Sequence, residues 1–76
     1  MSQIDVYIAL KEIAAKDPDW HDSAYIREYL KKKGFSNGVI KGVYADLISL
    51  SARSEIQMKG IGWVDHYKVF RYVKRD

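Results

Sequence analysis

Cysteine is absent from this sequence of 76 residues, and proline occurs once. Without cysteine the chain can form neither a disulfide bond nor a thiolate metal site. Secreted domains of this size usually depend on such links, so we expect an intracellular, cytoplasmic protein. No apolar run approaches the roughly 20 residues of a membrane-spanning helix, and the N-terminus lacks the pattern of a signal peptide. We therefore expect no membrane association.

Residues that carry catalytic chemistry are also scarce. The sequence has only two histidines, and it shows no nucleophile–base pair, no phosphate-binding glycine loop and no spacing typical of metal ligands. Asp17, Asp19 and Glu28 match three positions of a calcium loop, but Asp22 stands where that loop requires glycine. A short chain also leaves little room for a deep pocket. We expect no enzymatic activity, cofactor, metal or small-molecule substrate.

What is present is typical of one globular domain spanning residues 1–76. Hydrophobic residues make up 47% of the chain and charged residues 30%, a balance that disordered chains do not have. Residues 1–30 carry three basic and six acidic side chains, whereas residues 31–76 carry ten basic and four acidic ones. This asymmetry fits a surface that faces a polyanion, and it fits an ordinary solvated surface equally well.

Apolar residues recur at helical spacing in three segments, which predicts helices over residues 4–16, 23–33 and 37–52. After the third segment the pattern alternates and is rich in β-branched and aromatic residues, which predicts a β-hairpin over residues 55–74. The sequence thus predicts an α+β fold. The predicted core faces of the helices consist of Val6, Ala9, Leu10, Ile13, Ala14, Ile26, Tyr29, Leu30, Val39, Ile40, Val43, Leu47 and Leu50.

The end of the second helix is the best-defined local signal. Gly34 can adopt the left-handed conformation that closes a helix, and Leu30 and Phe35 then occupy the two positions that touch in a Schellman motif. Ser36 follows at once as the expected N-cap of the third helix, and Asp22 is the expected N-cap of the second. We therefore expect a short glycine-containing turn between the second and third helices.

Three helices, this turn and a C-terminal hairpin resemble the winged helix-turn-helix superfamily over residues 4–74. The resemblance implies a three-helix domain with a C-terminal β-hairpin wing. It also implies a protein that binds double-stranded DNA, as a small transcriptional regulator, with the third helix in the major groove and the wing on the backbone or in the minor groove. Winged helices also serve as protein-interaction modules in transcription or replication assemblies, and this is the alternative function.

The resemblance implies that DNA contacts come from the third helix, the end of the second helix and the hairpin. Asn37 can pair with adenine and Lys41 can donate to guanine or to phosphate, although a solvated helix face is the alternative. Gly38 and Gly42 each cost a helix about 1 kcal/mol, and their bare backbone permits close approach of DNA or of another helix. The predicted DNA-contacting residues are Lys32, Lys33, Ser36, Asn37, Lys41, Tyr44, Lys59, Trp63, His66 and Lys68.

Two groups in this set have structural alternatives. The run Lys31-Lys32-Lys33 would interact favourably with the dipole at the end of the second helix, and at least one of its members is expected to face phosphate. Trp63 lies beside Gly60 and Gly62 in the hairpin loop. There it would either lie against the DNA backbone or fold back onto the core, since tryptophan is usually mostly buried.

The first helix carries a second apolar stripe on the side away from its core face, formed by Ile4, Ile8 and Ala15. Because the core of a small domain needs only one face of a helix, this stripe predicts a homodimer paired through the first helix. Such pairing would set two third helices against two DNA half-sites. The alternative is that Ile4 covers the last strand and Ile8 covers the edge of the core.

Overall fold

The computed structural model describes residues 2–61 and 64–74, with the side chains of residues 2 and 64–66 outside that description. The described chain has an α+β architecture, as predicted. None of its helices is long and apolar enough to cross a membrane. Its helices and strands are α1 (Ser2–Lys16), β1 (His21–Asp22), α2 (Ser23–Lys32), α3 (Asn37–Lys41), α4 (Val43–Ala52), β2 (Ile56–Ile61) and β3 (Val64–Tyr72).

The three strands form an antiparallel sheet in the order β1-β3-β2. The central strand, β3, pairs with β2 as the predicted hairpin, with Met58 opposite Phe70 and a shift of register between Gly60 and Ile61. The sequence did not predict β1, because a strand of two residues is too short to produce an alternating pattern. This strand forms because His21 and Asp22 pair with Phe70 and Val69 of β3.

The core lies between the helices and one face of the sheet, and the sheet contributes the side chains of Ile56 and Phe70 to it. A fully buried large apolar side chain contributes roughly 1.5–3 kcal/mol to folding. Most of the predicted core is confirmed, but Ala14, Tyr29, Val39 and Ile40 are only partly buried. Helix α3 contributes no buried residue. The buried cluster consists of Val6, Ala9, Leu10, Ile13, Ile26, Leu30, Val43, Leu47, Leu50, Ile56 and Phe70.

The turn after α2 has the predicted geometry. Gly34 has a φ of +90°, and its N–H donates to the carbonyl of Lys31 at 3.1 Å, while the N–H of Phe35 donates to the carbonyl of Leu30 at 3.1 Å. These two bonds define the Schellman motif. Ser36 occupies the N-cap position of α3 as predicted, although its hydroxyl makes no capping hydrogen bond.

The prediction of one helix over residues 37–52 is wrong, because the structure divides this segment into α3 and α4 at Gly42. Gly42 has φ −90° and ψ 3°, and its N–H donates to the carbonyl of Val39 at 3.2 Å in a tightened turn. Helical bonding resumes where the N–H of Asp46 donates to the carbonyl of Gly42 at 3.0 Å. Glycine favours such a change of direction because it is the weakest helix former after proline.

Candidate nucleic-acid interface

The short helix α3 presents its polar residues to solvent. The side chains of Ser36, Asn37 and Lys41 are all exposed. Asn37 and Lys41 are four residues apart and therefore share one face of the helix. Within the described chain neither of these two side chains makes a hydrogen bond, an ion pair or a ring contact. Their donors and acceptors are available to a partner.

Gly38 and Gly42 leave bare backbone beside these polar side chains, and the fold has room for a Cβ atom at both positions. A Cβ atom added at Gly38 would lie 3.8 Å from the Oγ atom of Ser36, and one added at Gly42 would lie 3.8 Å from the Oδ2 atom of Asp46. Both distances are ordinary van der Waals contacts, and neither glycine has a positive φ. Gly38, which lies within α3, therefore lowers helix stability without a gain in packing, whereas Gly42 lies at the junction of α3 and α4.

Tyr44 and Lys68 lie where α4 approaches the sheet. The ring of Tyr44 meets the ring of Phe70 edge-on at 6.3 Å, and the side chain remains 40% exposed. Lys68 is two residues before Phe70 on β3, so it lies on the same, helix-facing side of the sheet. Its cross-strand partner is Gly60, which leaves this part of the surface without a second side chain. Tyr44 and Lys68 therefore lie on the side of the molecule that carries α4.

Lys59 lies on the opposite face of the hairpin from Lys68. It pairs with Val69, whereas Lys68 pairs with Gly60, and side chains alternate between the two faces of a sheet. Its ammonium group lies 4.4 Å from the centroid of the Trp20 ring. The two lysines predicted to flank the wing loop are therefore not brought together.

Lys33 is engaged within the chain rather than presented to a partner. Its Nζ atom lies 3.7 Å from the Oε1 atom of Glu12 and 5.5 Å from the centroid of the Tyr29 ring. The Tyr29 hydroxyl donates to the same Glu12 oxygen at 2.6 Å, and this hydrogen bond is the largest cause that lowers the pKa of the Glu12 carboxyl. Lys32 is exposed and makes no such contact in the described chain.

Two predicted contact residues of the hairpin fall where the structure gives no side chain. Trp63 lies outside the described residues. His66 belongs to β3, and its side chain lies outside the described part of the chain. Their predicted contacts with DNA stay predictions.

The second apolar stripe of α1 is exposed. Ile4 is 59% and Ile8 46% accessible to solvent, and Ala15 is also exposed. Ile8 and the exposed Phe35 line a shallow groove of about 270 Å³ between α1 and the turn after α2. Neither isoleucine belongs to the buried cluster, so this chain alone leaves both of them largely uncovered.

Sequence reasoning missed a group of side chains on the face of the sheet that points away from the helices. Trp20 lies there beneath two cations, since the guanidinium carbon of Arg71 is 4.5 Å from its ring centroid and the ammonium of Lys59 is 4.4 Å from it. We call Trp20, Lys59 and Arg71 the outer cluster. The alternation of β3 places Arg71 on the same face as Val69, but nothing in the sequence pattern indicates that Trp20 reaches this face.

Asp22 connects α2 to the sheet beside this cluster. One carboxylate oxygen accepts a hydrogen bond from the N–H of Tyr25 at 2.9 Å, which confirms the predicted N-cap, and the other accepts one from the Tyr67 hydroxyl at 2.6 Å. The Tyr67 bond, followed by the Tyr25 bond, lowers the pKa of the Asp22 carboxyl. The same bond raises the pKa of Tyr67. The carboxylate is thus stabilised in its charged form.

A comparison of the chain with protein-family models, with curated proteins and with solved structures found no match. Within residues 2–61 and 64–74, no group of three or more histidine, cysteine, aspartate or glutamate side chains is arranged to hold a metal ion.

Proposed function

We propose that this chain is a winged-helix protein that binds double-stranded DNA as a small transcriptional regulator. In this proposal α3 and the first turn of α4 enter the major groove, and the hairpin contacts the backbone or the minor groove. In this proposal the protein acts by occupying a site on DNA, without a chemical step.

The order of the elements supports the winged-helix assignment. Helices α2 and α3 are joined by the tight Gly34 turn, and the chain then continues through α4 into the hairpin β2-β3. The hairpin is anchored to the helices twice, through Phe70 in the core and through the pairing of β1 with β3. A hairpin held in this way can contact a ligand that lies along α3 and α4.

The observation that carries the proposal is the surface of α3. Asn37 and Lys41 lie on one exposed face without partners in the described chain. Gly38 and Gly42 place bare backbone between and beside them, although the fold has room for a Cβ atom at both positions. Hydrogen-bonding side chains next to bare backbone suit a helix that approaches base edges closely.

Charge supports the same surface. We assign Lys41 and Lys68 to phosphate or base contacts, because both lie on the side of the molecule that carries α3 and α4 and neither has an ion-pair partner in the described chain. We place Lys59 outside this interface, because it lies on the opposite face of the hairpin from Lys68. We place Lys33 outside it, because its ammonium group lies next to the Glu12 carboxylate. The acidic residues 1–30 form α1, β1 and most of α2. Helix α1 packs against α4 through the core.

A protein-docking role is the second candidate, and the exposed side chains of Ile4, Ile8 and Phe35 favour it. We propose that these side chains serve a homodimer instead, so that two copies of α3 face two DNA half-sites. A module that docks onto another protein would use the same apolar surface without needing Asn37 or Lys41.

Titration of the protein with a random-sequence duplex at two salt concentrations tests the proposal. A DNA-binding protein releases counterions for every phosphate it contacts, so its affinity should fall steeply as salt increases. Fluorescence anisotropy of a labelled duplex measures both affinities. Absence of binding at the lower salt concentration would contradict DNA binding and leave the protein-docking role.

A further inference from the structure

The outer cluster lies on a side of the molecule that the proposed DNA interface does not use. Lys59 and Arg71 share the face of Val69, because Lys59 pairs with Val69 and Arg71 follows it by two residues on β3. The helices cover the other face of the sheet, which carries Phe70 and Lys68. The two cations therefore point away from α3 and α4.

Both cations are held in place. The Nε and Nη2 atoms of Arg71 donate to the Oε1 atom of Gln57 at 3.0 and 2.6 Å, so that the guanidinium has a fixed orientation. The Trp20 ring attracts both charges through its π-system. Because each charge lies within 4.5 Å of the same ring centroid, the two are at most about 9 Å apart, close to the Debye length at physiological salt.

The positive charge of this cluster is not neutralised within the described chain. Neither Lys59 nor Arg71 forms an ion pair there. Asp22 is paired with Val69 in the register of the sheet, but its two oxygens accept hydrogen bonds from Tyr25 and Tyr67 instead. Two oriented cations that form no ion pair within the described residues are an arrangement that attracts an anion.

We infer that the outer cluster binds backbone phosphates of a second DNA duplex. Acidic protein surfaces carry the same kind of charge, but a protein interface is usually centred on a desolvated apolar anchor. Here Val69 is only 5% exposed and the Trp20 ring is occupied by the two cations. Tyr67 is 46% exposed, but its hydroxyl is bonded to Asp22. Phosphate contacts require only positioned positive charge.

Binding at two faces would let one chain join two segments of DNA. The outer cluster and Lys68 lie on opposite faces of the same hairpin, so one straight duplex cannot rest against both. This inference rests on the proposed function, since the first duplex occupies the surface of α3 and α4 and the second occupies the outer face of the sheet.

A capture experiment tests the inference with the full chain. One short duplex is immobilised and loaded with protein, and a second, fluorescent duplex of the same sequence is added. We expect the wild-type protein to retain the second duplex. The double variant Lys59→Gln/Arg71→Gln should retain roughly tenfold less of it, because two phosphate contacts are lost, while its affinity for a single duplex stays within about twofold of the wild-type value.

The matched control is Lys11→Gln/Lys16→Gln, which removes the same net charge from exposed positions of α1. It should retain the second duplex as the wild type does. Equal loss of capture in both double variants would mean that the net positive charge of the protein, and not the outer cluster, holds the second duplex. The inference would then be wrong. Full capture by the Lys59→Gln/Arg71→Gln variant would also overturn it.

Two further outcomes separate this inference from the proposed function. If the wild type binds the immobilised duplex and captures no second one, the inference fails and DNA binding stands. If it binds neither duplex, both fail. Circular dichroism shows whether the double variant folds. If it does not, the single variant Lys59→Gln replaces it, because Lys59 is an exposed residue of an edge strand. This variant should also retain less of the second duplex than the wild type, with a smaller loss than that expected for the double variant.

Discussion

At the scale of single residues, α3 provides the sharpest test of DNA recognition. Lys41→Ala should weaken binding to every duplex and leave the melting temperature nearly unchanged, because the side chain is exposed and has no partner in the described chain. Asn37→Ala should instead relax the preference for adenine at one position, with a loss of about 1–3 kcal/mol there. Binding measurements on a selected-sequence duplex and a random one distinguish the two effects.

The control for this pair is Lys16→Ala, an exposed lysine of α1 outside the proposed interface. Its affinity for DNA should remain close to that of the wild type. If Lys41→Ala bound the selected duplex as tightly as the wild type does, α3 could not be the groove-binding helix.

Gly38 gives a prediction in which stability and binding change in opposite directions. Gly38→Ala should raise the free energy of unfolding by about 0.4–1 kcal/mol, because alanine is the better helix former and restricts the unfolded chain. The added methyl group has room within the fold, with its nearest neighbour at 3.8 Å. The same methyl group should weaken DNA binding, because it would stand between the helix and the base edges.

Thermal unfolding and duplex titration measure these two effects on one variant. Gly34→Ala is the contrasting control, because its φ of +90° disfavours any residue with a side chain, so that variant should lose stability. A Gly38→Ala protein that is more stable and binds DNA unchanged would mean that no partner approaches the helix backbone at this position.

At the scale of elements, the hairpin has two functionally different faces. Lys68 lies on the helix-facing side and Lys59 on the outer side over Trp20. Lys68→Ala should therefore weaken binding of a single duplex to all sequences alike and reduce the salt slope by about one unit, which is the loss of one phosphate contact. Lys59→Ala, which removes the same charge from the outer face, should leave the single-duplex slope unchanged.

Measurement of affinity across a salt series gives both slopes. Equal slopes for Lys68→Ala and the wild type would remove the helix-facing side of the hairpin from the interface. The sequence predicts DNA contacts for both lysines of the hairpin. Only the strand register, which pairs Lys59 with Val69 and Lys68 with Gly60, separates them.

At the scale of the whole molecule, the exposed stripe on α1 predicts self-association. Wild-type protein at micromolar concentration should sediment as a homodimer, because Ile4 and Ile8 leave an apolar strip that the chain itself does not cover. Ile8→Glu should produce folded monomers with weaker DNA binding, since a monomer presents one α3 to DNA and the dimer presents two. Sedimentation gives the oligomeric state, and circular dichroism shows whether the variant is folded.

Lys11→Glu is a stringent control for Ile8→Glu, because it places a glutamate on exposed α1 and changes the net charge by two units instead of one, without removing apolar surface. It should dissociate the dimer less. A wild-type protein that sediments as a monomer would end the homodimer hypothesis. If Ile8→Glu unfolded the chain, Ile8 would support the fold and would not form an interface.

The sequence by itself determined the elements whose causes are local. Helical periodicity located α1 and α2, and the preference of Gly34 for the left-handed region located the Schellman turn. Period-two alternation identified the hairpin, and Asp22 was recognised as an N-cap from its residue type and position. Apolar spacing also identified the buried faces of α1 and α4, because these faces follow from residues three and four apart.

Only the tertiary structure decided the features that depend on residues distant in the chain. β1 forms because β3 offers a pairing edge, and Trp20 meets Lys59 and Arg71 because strand order brings a loop before α2 across the sheet. The break at Gly42 divides the predicted third helix, and Val39 and Ile40 of α3 are only partly buried although their spacing suits burial. The sequence shows the spacing at which apolar side chains recur. It does not show which face of the folded sheet a given side chain lies on, and the proposed DNA-binding surface and the outer cluster lie on opposite faces of the hairpin.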